Sequence, residues 1–336
     1  MSTTVPDTKK IFIIGAGAWG TALAQATAIA GNEVTLFGRD AAVAREICSR
    51  HTNFRYLKEQ MLSPRIYATT DIGALAQAEL VVLAVPAQTT RKVIKAIPGG
   101  LKRGVPLIVT AKGFEKQTLA LQSEIAAAHW PKSDILVLSG PSFAVDVAAG
   151  RPTALTLAAN DPALAARVAP ILASDSFRPY VSNDLRGVEL AGGLKNVYAL
   201  ACGAVEGAGL GLSARSALIG RAHVEMSRLI SNMGGKEQTM ATLAGLGDLA
   251  LSCTSTQSRN YHFGVELGRG QNIDQIMKAG IGLAEGVATA PVALELARKA
   301  GVDVPLIEAV NQLLAQKMKI AAIVSHLMRR PLKQEG

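Results

Sequence analysis

The sequence predicts an α/β first half, built on a mostly parallel sheet with helices on both faces, followed by an all-α second half. Two observations carry this reading. Up to about residue 187, short near-continuous apolar runs alternate with helical stretches, the pattern of strands buried on both faces. From Val188 onward the β-branched runs stop and long helical patterns follow one another. A chain of 336 residues suits two domains, and the division is placed at 1–187 and 188–336.

Taken in order, Ile11–Gly15 is a short apolar run, Ala18–Ala30 a helix and Glu33–Phe37 a second strand. Glu79–Val85 and Pro106–Thr110 read as further buried strands, bounded by proline and charged turns, with a helical stretch between them. Ile135–Ser139 and Thr153–Ala158 continue the series. In the second half, helices are expected over Val188–Ala208, Ser213–Met233, Arg259–Gly270, Glu285–Ala300 and Ile307–Leu327. No low-complexity linker separates the halves, so they should pack tightly, with a cleft between them as the natural ligand site.

Composition narrows the function. Hydrophobic residues at 49% and charged residues at 18% exclude a disordered chain. With only 4% aromatics and 32 glycines, the core must come from small aliphatic side chains on closely packed elements. Cys48, Cys202 and Cys253 are scattered and odd in number, which argues against a disulfide framework or structural zinc and for a reducing cytoplasm. The polar start MSTTVPDTKK offers no signal-peptide segment, and no apolar run approaches the ~20 residues of a membrane helix. The net charge of +9 is spread along the chain, with one short cluster at Met328–Lys333 and no interleaved aromatics. That pattern favours a phosphorylated small molecule over nucleic acid. His51, His129, His223, His262 and His326 show no HExxH or paired spacing, so no metal is expected.

Gly15-Ala-Gly17-Ala-Trp19-Gly20 is a GxGxxG between a strand and a helix, the context that turns a common glycine turn into a dinucleotide-binding signal. The first two glycines permit a tight turn and close approach of a pyrophosphate to the helix N-terminus, and the third permits helix–strand packing. Arg39, about twenty residues on, favours the 2′-phosphate of NADP(H), while the adjacent Asp40 leaves NAD(H) open. The segments Val85-Pro86, Ala111-Lys112-Gly113 and Ser139-Gly140-Pro141-Ser142 each follow a strand and should open toward the ligand crevice. Ser142 is equally readable as the cap of a short helix through Ala144–Ala149. In the helical half, Lys195 lies in a glycine-rich apolar helix, where a lysine either snorkels to water or, partly buried, becomes a proton donor. Gly245-Leu-Gly247-Asp248 presents one carboxylate, readable also as a helix cap. Ser258-Arg259-Asn260 opens a helix, where an arginine beside free amides suits a phosphate.

The order of these segments resembles the NAD(P)-dependent sn-glycerol-3-phosphate dehydrogenases of the soluble bacterial type. The resemblance rests on GAGAWGTALA, VPAQ, AKGFE, LSGPSFAVDVAAGRPTA, GGLKNVYALACGAVEG, AGLGDLALSCTSTQSRN and AEGVATAP, and runs from about Lys10 to Leu327. It implies a Rossmann-like first domain and the interconversion of dihydroxyacetone phosphate and sn-glycerol 3-phosphate, chiefly to supply phospholipid synthesis. It implies Lys195 as the general acid, and Lys112, Gly140, Ser142, Asp248, Ser258, Arg259 and Asn260 around the substrate. Cofactor contacts are implied at Gly15, Gly17, Ala18, Trp19, Gly20, Arg39, Tyr56, Lys112, Ala144, Arg259, Leu283 and Glu285. Asp248 is expected to orient the Lys195 amine. Two departures stand out: Ala18 where serine is common, and Gly192-Gly193-Leu194 where Gly-Ala-Val usually precedes the lysine. The runner-up is another lysine-dependent two-domain dehydrogenase, of the β-hydroxyacid or 6-phosphogluconate type. A non-catalytic dinucleotide sensor is the reading from a different class. A homodimer is the assembly considered.

Overall fold

The computed structural model describes residues 8–331, apart from 98, 281, 283 and 319. The first half runs β1 (Lys10–Ile14), α1 (Ala18–Ile29), β2 (Glu33–Phe37), α2 (Ala41–Arg50), α3 (Phe54–Leu57), β3 (Ile66–Thr69), β4 (Leu80–Leu83), α4 (Thr90–Lys95) and β5 (Pro106–Val109). It continues with α5 (Gln122–His129), β6 (Asp134–Ser139), α6 (Ala144–Ala148), β7 (Thr153–Ala159), α7 (Pro162–Leu172) and β8 (Phe177–Ser182). The eight strands form one sheet in the order β3-β2-β1-β4-β5-β6-β7-β8.

Neighbouring strands run parallel except at β6 and β7, which pair antiparallel from Leu136↔Ala159 to Ser139↔Thr156. The expected strand at Thr153–Ala158 is therefore present but reversed, and β8 runs parallel to it. Alternate residues of β1 feed opposite faces of the sheet: Ile11 and Ile13 join one core, Phe12 and Ile14 the other. Both faces are covered, which is why the central strands read as unbroken apolar runs. Two edge strands, β3 and β8, were not expected from the sequence.

The second half is helical: α8 (Leu185–Gly207), α9 (Gly211–Asn232), α10 (Asp248–Thr254), α11 (Arg259–Gly268), α12 (Ile273–Lys278), α13 (Glu285–Lys299), α14 (Pro305–Leu314) and α15 (Ile320–Met328). α8 is buried almost all round, as its apolar circumference requires. Its close neighbour is α11. A Cβ on Gly203 would lie 2.0 Å from the Tyr261 carbonyl oxygen, and one on Gly264 2.1 Å from that of Leu200. The glycines thus let two backbones meet where any side chain would hold them apart.

The single helix expected over Ile307–Leu327 is two helices, α14 and α15, with a turn between them. α14 lacks a side-chain cap of its own. The buried Glu225 of α9 takes the Leu306 and Ile307 N–H groups at 3.0 and 3.1 Å instead, satisfying donors that a helix start leaves open. Asp184 similarly opens α8, accepting from Gly187 N at 2.9 Å and from Lys236 N at 2.8 Å.

Candidate active site

The turn from β1 into α1 is shaped by its glycines. Gly15 has φ +119°, and a Cβ there would fall 2.3 Å from the Ala84 carbonyl oxygen. A Cβ on Gly20 would fall 1.8 Å from the Gly15 oxygen, so the third glycine seats the helix on the strand. Around Gly17, by contrast, nothing lies within 4 Å of that position. Gly17 is the N-cap of α1 and supplies no side-chain cap to the first-turn amides. Uncapped amides beside an open glycine fit a dinucleotide pyrophosphate. Ala18 and Trp19 begin the helix, and Ala144 begins α6, which packs against α1.

Arg39 and Asp40 follow β2 and differ in what their side chains do. Asp40 caps α2, accepting from Ala42 N at 2.9 Å and Val43 N at 3.4 Å, and its other oxygen meets Arg55 at 3.5 Å. Its carboxylate is committed to the fold. Arg39 is exposed beside it. Tyr56 stands on α3, 41% exposed, with the Arg55 guanidinium 5.4 Å from its ring centre. Leu283 lies outside the described residues.

Lys112, Lys195 and Asp248 meet at the C-terminal edge of the sheet. Lys195 Nζ donates to Asp248 Oδ1 at 2.9 Å and to Ser252 Oγ at 2.6 Å. Lys112 Nζ donates to Asp248 Oδ2 at 2.5 Å and to the Gly140 carbonyl at 3.0 Å. The Asp248 side chain is 1% exposed, those of Lys195 and Lys112 10% and 16%. Burial pushes the Lys112 ammonium down to about 8, with Asp248 opposing the shift and Lys195 adding to it. Burial works against the Asp248 carboxylate, yet the Lys112 and Lys195 ammoniums outweigh it and hold the carboxyl below its usual range. Asp248 is the first residue of α10 and follows a single π-type turn, Leu243–Gly247, not a plain loop.

Gly192 lets α8 approach this wall closely, since a Cβ there would sit 2.6 Å from Ser139 Oγ and 3.5 Å from Lys112 Cγ. A Cβ on Gly193 would meet the Phe114 ring at 3.1 Å, so the glycine leaves that ring room. Ser142 does not cap α6: Phe143 takes the N-cap position without a side-chain bond, and Ser142 Oγ donates to the Gly140 carbonyl at 3.1 Å. The capping expectation fails because the residue sits one position too early.

Ser258 caps α11 through Tyr261 N at 3.3 Å, leaving Arg259 exposed at the helix start. Asn260 is buried and its side chain is engaged, donating to Asn196 Oδ1 at 2.9 Å and accepting from Gly286 N at 2.8 Å. Glu285, first residue of α13, accepts from Ala87 N at 3.3 Å. Burial raises its carboxyl above the usual range, against the Ala87 bond and the charges of Arg259, Lys195 and Lys112. Sequence reasoning missed Ser252, although its position four residues after Asp248 on one helix face is a readable signal. It also missed Asn53, which donates to the Ala16 carbonyl at 3.2 Å and to Thr21 Oγ1 at 2.8 Å and so braces the glycine turn. No local pattern announces that contact.

A mostly parallel sheet whose strands end beside an uncapped helix N-terminus, joined to a helical half that brings ammonium groups to the same edge, has the architecture of a dinucleotide-binding α/β protein. Comparison with known proteins sharpens the class. Residues 10–165 match the family described as NAD-dependent glycerol-3-phosphate dehydrogenase N-terminus, and residues 184–325 match its C-terminus. The chain belongs to this family. It is 44% identical to glycerol-3-phosphate dehydrogenase [NAD(P)+] of Caulobacter vibrioides, covering 98% of this chain and 99% of that one. A relative of the same description from Sphingopyxis alaskensis is 46% identical over 96% and 97% of the two chains. The crystal structure of glycerol-3-phosphate dehydrogenase from Coxiella burnetii superposes with a TM-score of 0.91 at 35% identity, covering 97% of this chain and all of that one. These relatives favour the glycerol-3-phosphate reading over the β-hydroxyacid one.

Among the described residues, no helix is long and apolar enough to cross a membrane, and no cluster of three His, Cys, Asp or Glu side chains is placed to hold a metal ion.

Proposed function

We propose that this chain reduces dihydroxyacetone phosphate to sn-glycerol 3-phosphate in the cytoplasm with NADPH in preference to NADH, residues 1–187 holding the dinucleotide and 188–336 carrying the chemistry. The observation that carries the reading is the pair of ammonium groups on the two oxygens of one buried carboxylate, Asp248. A lysine ammonium has three hydrogens. Lys195 uses two of them on Asp248 and Ser252, and Lys112 two on Asp248 and Gly140, so each keeps one for a ligand.

The nicotinamide, when bound, supplies the hydride for the ketone carbon. Lys195 gives its remaining proton to the ketone oxygen, and in the reverse direction its neutral amine takes the proton of the hydroxyl. Asp248 and Ser252 hold that amine in one orientation. Lys112 offers its remaining N–H to a substrate oxygen and stabilises negative charge as it develops. Arg259 and the first-turn amides of α11 suit the phosphate, while Gly140 and Ser142 border the same wall. The side chains of Ser258 and Asn260 serve this end by setting the helix start, since both are engaged within the fold.

Arg39 supports the preference for NADPH, because the carboxylate that would hold a ribose hydroxyl is spent capping α2. The free thiols of Cys48, Cys202 and Cys253 support a reducing compartment. The test is initial-rate reduction of dihydroxyacetone phosphate with NADPH and NADH side by side, with unphosphorylated dihydroxyacetone as the comparison ketone. Turnover of the phosphorylated ketone, faster with NADPH, is expected. Equal rates on the two ketones would remove the phosphate from the argument.

A further inference from the structure

The loop that carries Lys112 leaves β5 as irregular backbone, with Gly113 at φ +154°. It has no helix or strand to occupy its carbonyls, yet three in succession are each taken by a side-chain amide from a different part of the fold. Asn196 Nδ2 of α8 donates to the Lys112 carbonyl at 3.3 Å. Gln122 Nε2 of α5 donates to the Gly113 carbonyl at 3.0 Å. Gln88 Nε2, in the turn after β4, donates to the Phe114 carbonyl at 2.7 Å, and its Oε1 accepts from Lys116 N at 3.0 Å. Gln88 thus reproduces with one side chain the two bonds a paired strand would make. Beside it, Arg91 grips Glu115 through two bonds of 2.7 Å.

We propose that Gln88 and Gln122 are positioning residues for Lys112, fixing the backbone from which that lysine reaches the substrate. The inference rests on the reading that Lys112 contacts substrate. A lysine stem is long and flexible, so its Nζ stays between Gly140 and Asp248 only if its Cα is held. The choice of amide is also physical. A lysine or arginine donor would add charge beside two ammoniums that already repel, and a carboxylate cannot donate to a carbonyl. Glutamine caps the carbonyls without disturbing the charge of the site. Gln122 is fully buried. The same turn is pinned on its other side, where Ala87 N donates to Glu285 Oε1 at 3.3 Å.

The experiment uses Gln88→Met and Gln122→Met, which keep side-chain length and lose the amide, with Lys112→Ala as reference. For each, kcat and KM for dihydroxyacetone phosphate, the NADPH dissociation constant and the pH dependence of kcat/KM are measured. NADPH binding should weaken no more than in Lys112→Ala, while kcat/KM falls by up to ~10²-fold, the effect of a ~1 Å misplacement. The alkaline limb set by Lys112, at about 8 in the wild type, should move upward as the ammonium relaxes toward water. Gln88 lies at the surface of its turn, so its variant folds even if the buried Gln122 variant does not. Wild-type kcat/KM and an unmoved limb in Gln88→Met would overturn the proposal, as would a loss of NADPH binding greater than that of Lys112→Ala. If Lys112→Ala itself retains wild-type kcat/KM, the reading of Lys112 fails and the positioning role with it. A crippled Lys112→Ala beside unaffected glutamine variants removes the positioning role alone.

Discussion

At the Asp248 carboxylate, one negative charge faces two positive ones, so the cluster carries a net positive charge into a largely buried wall. A site of this kind is electrostatically prepared for an anion. Lys195→Ala should lower kcat by ~10²–10⁴, the usual scale of a general acid, while the NADPH dissociation constant stays put. A variant with near-native kcat would end the assignment of Lys195. Lys112 must be charged to hold substrate, and burial brings it to about 8. We therefore expect kcat/KM to fall as pH rises through that value, and the limb to shift upward in Lys112→Arg, whose guanidinium stays charged. Arg39→Asp should weaken NADPH sharply and NADH little, read from the two dissociation constants, because only the former carries a 2′-phosphate to repel. Equal losses would show that Arg39 does not discriminate.

Among the elements, α8 is the spine, and its partners are held by buried acids that it or its neighbours supply. Glu189 of α8 accepts from Ser123 N at 2.9 Å and from the Ser123 hydroxyl, closing the start of α5. Burial raises its carboxyl to about 7, against those hydrogen bonds. The folded protein then binds this proton more tightly than the unfolded chain, where a glutamate titrates near ~4.3. Its contribution to stability is complete below that lower value, declines as pH rises toward about 7 and is flat above. Glu189→Gln carries no such proton. Comparing Tm at about pH 5.5 and about pH 7.5, the variant should gain on the wild type at the higher pH. A pH-independent difference would contradict the assignment. Glu225, also raised to about 7 by burial, acts with the same sign in both proteins and cancels in the comparison.

Across the whole molecule, the site exists only where the sheet edge and the helical half meet. Lys112 comes from the end of β5, Lys195 from α8 and Asp248 from α10. Asp248→Asn would leave two ammoniums facing each other without their shared counter-charge. Removing one partner of a buried ion pair costs on the order of 3–5 kcal/mol, and this carboxylate serves two. A lower Tm at neutral pH is expected, together with lost activity; an unchanged Tm would mean that the halves dock without this contact. Because the Asp248 carboxyl is held below its ordinary range, its contribution is present at neutral pH and is lost as pH falls through the acid region. Wild type and Asp248→Asn should therefore converge in Tm on acidification.

Much of this was legible in the residues. The central strands announce themselves because burial on both faces demands unbroken apolar runs such as Leu80–Leu83. The glycines at 15, 17 and 20 announce the crevice because their spacing has a steric cause. The edge strands were silent: β3 exposes Tyr67, and β8 contains Arg178 and Pro179 and leaves Tyr180 and Val181 half exposed, so neither reads as a buried run. The reversal of β7 was silent too, since apolar periodicity carries no direction. In the site, the sequence by itself determined which side chains could donate, accept or carry charge: the two lysines, Asp248, the capping Ser258. Only the tertiary structure decided whom they meet. Lys112 and Asp248 are 136 residues apart, Lys195 and Ser252 57, and Gln88 and Phe114 26. A side chain's chemistry is written in its own atoms, but a hydrogen bond reaches only ~3 Å, and that proximity is made by packing.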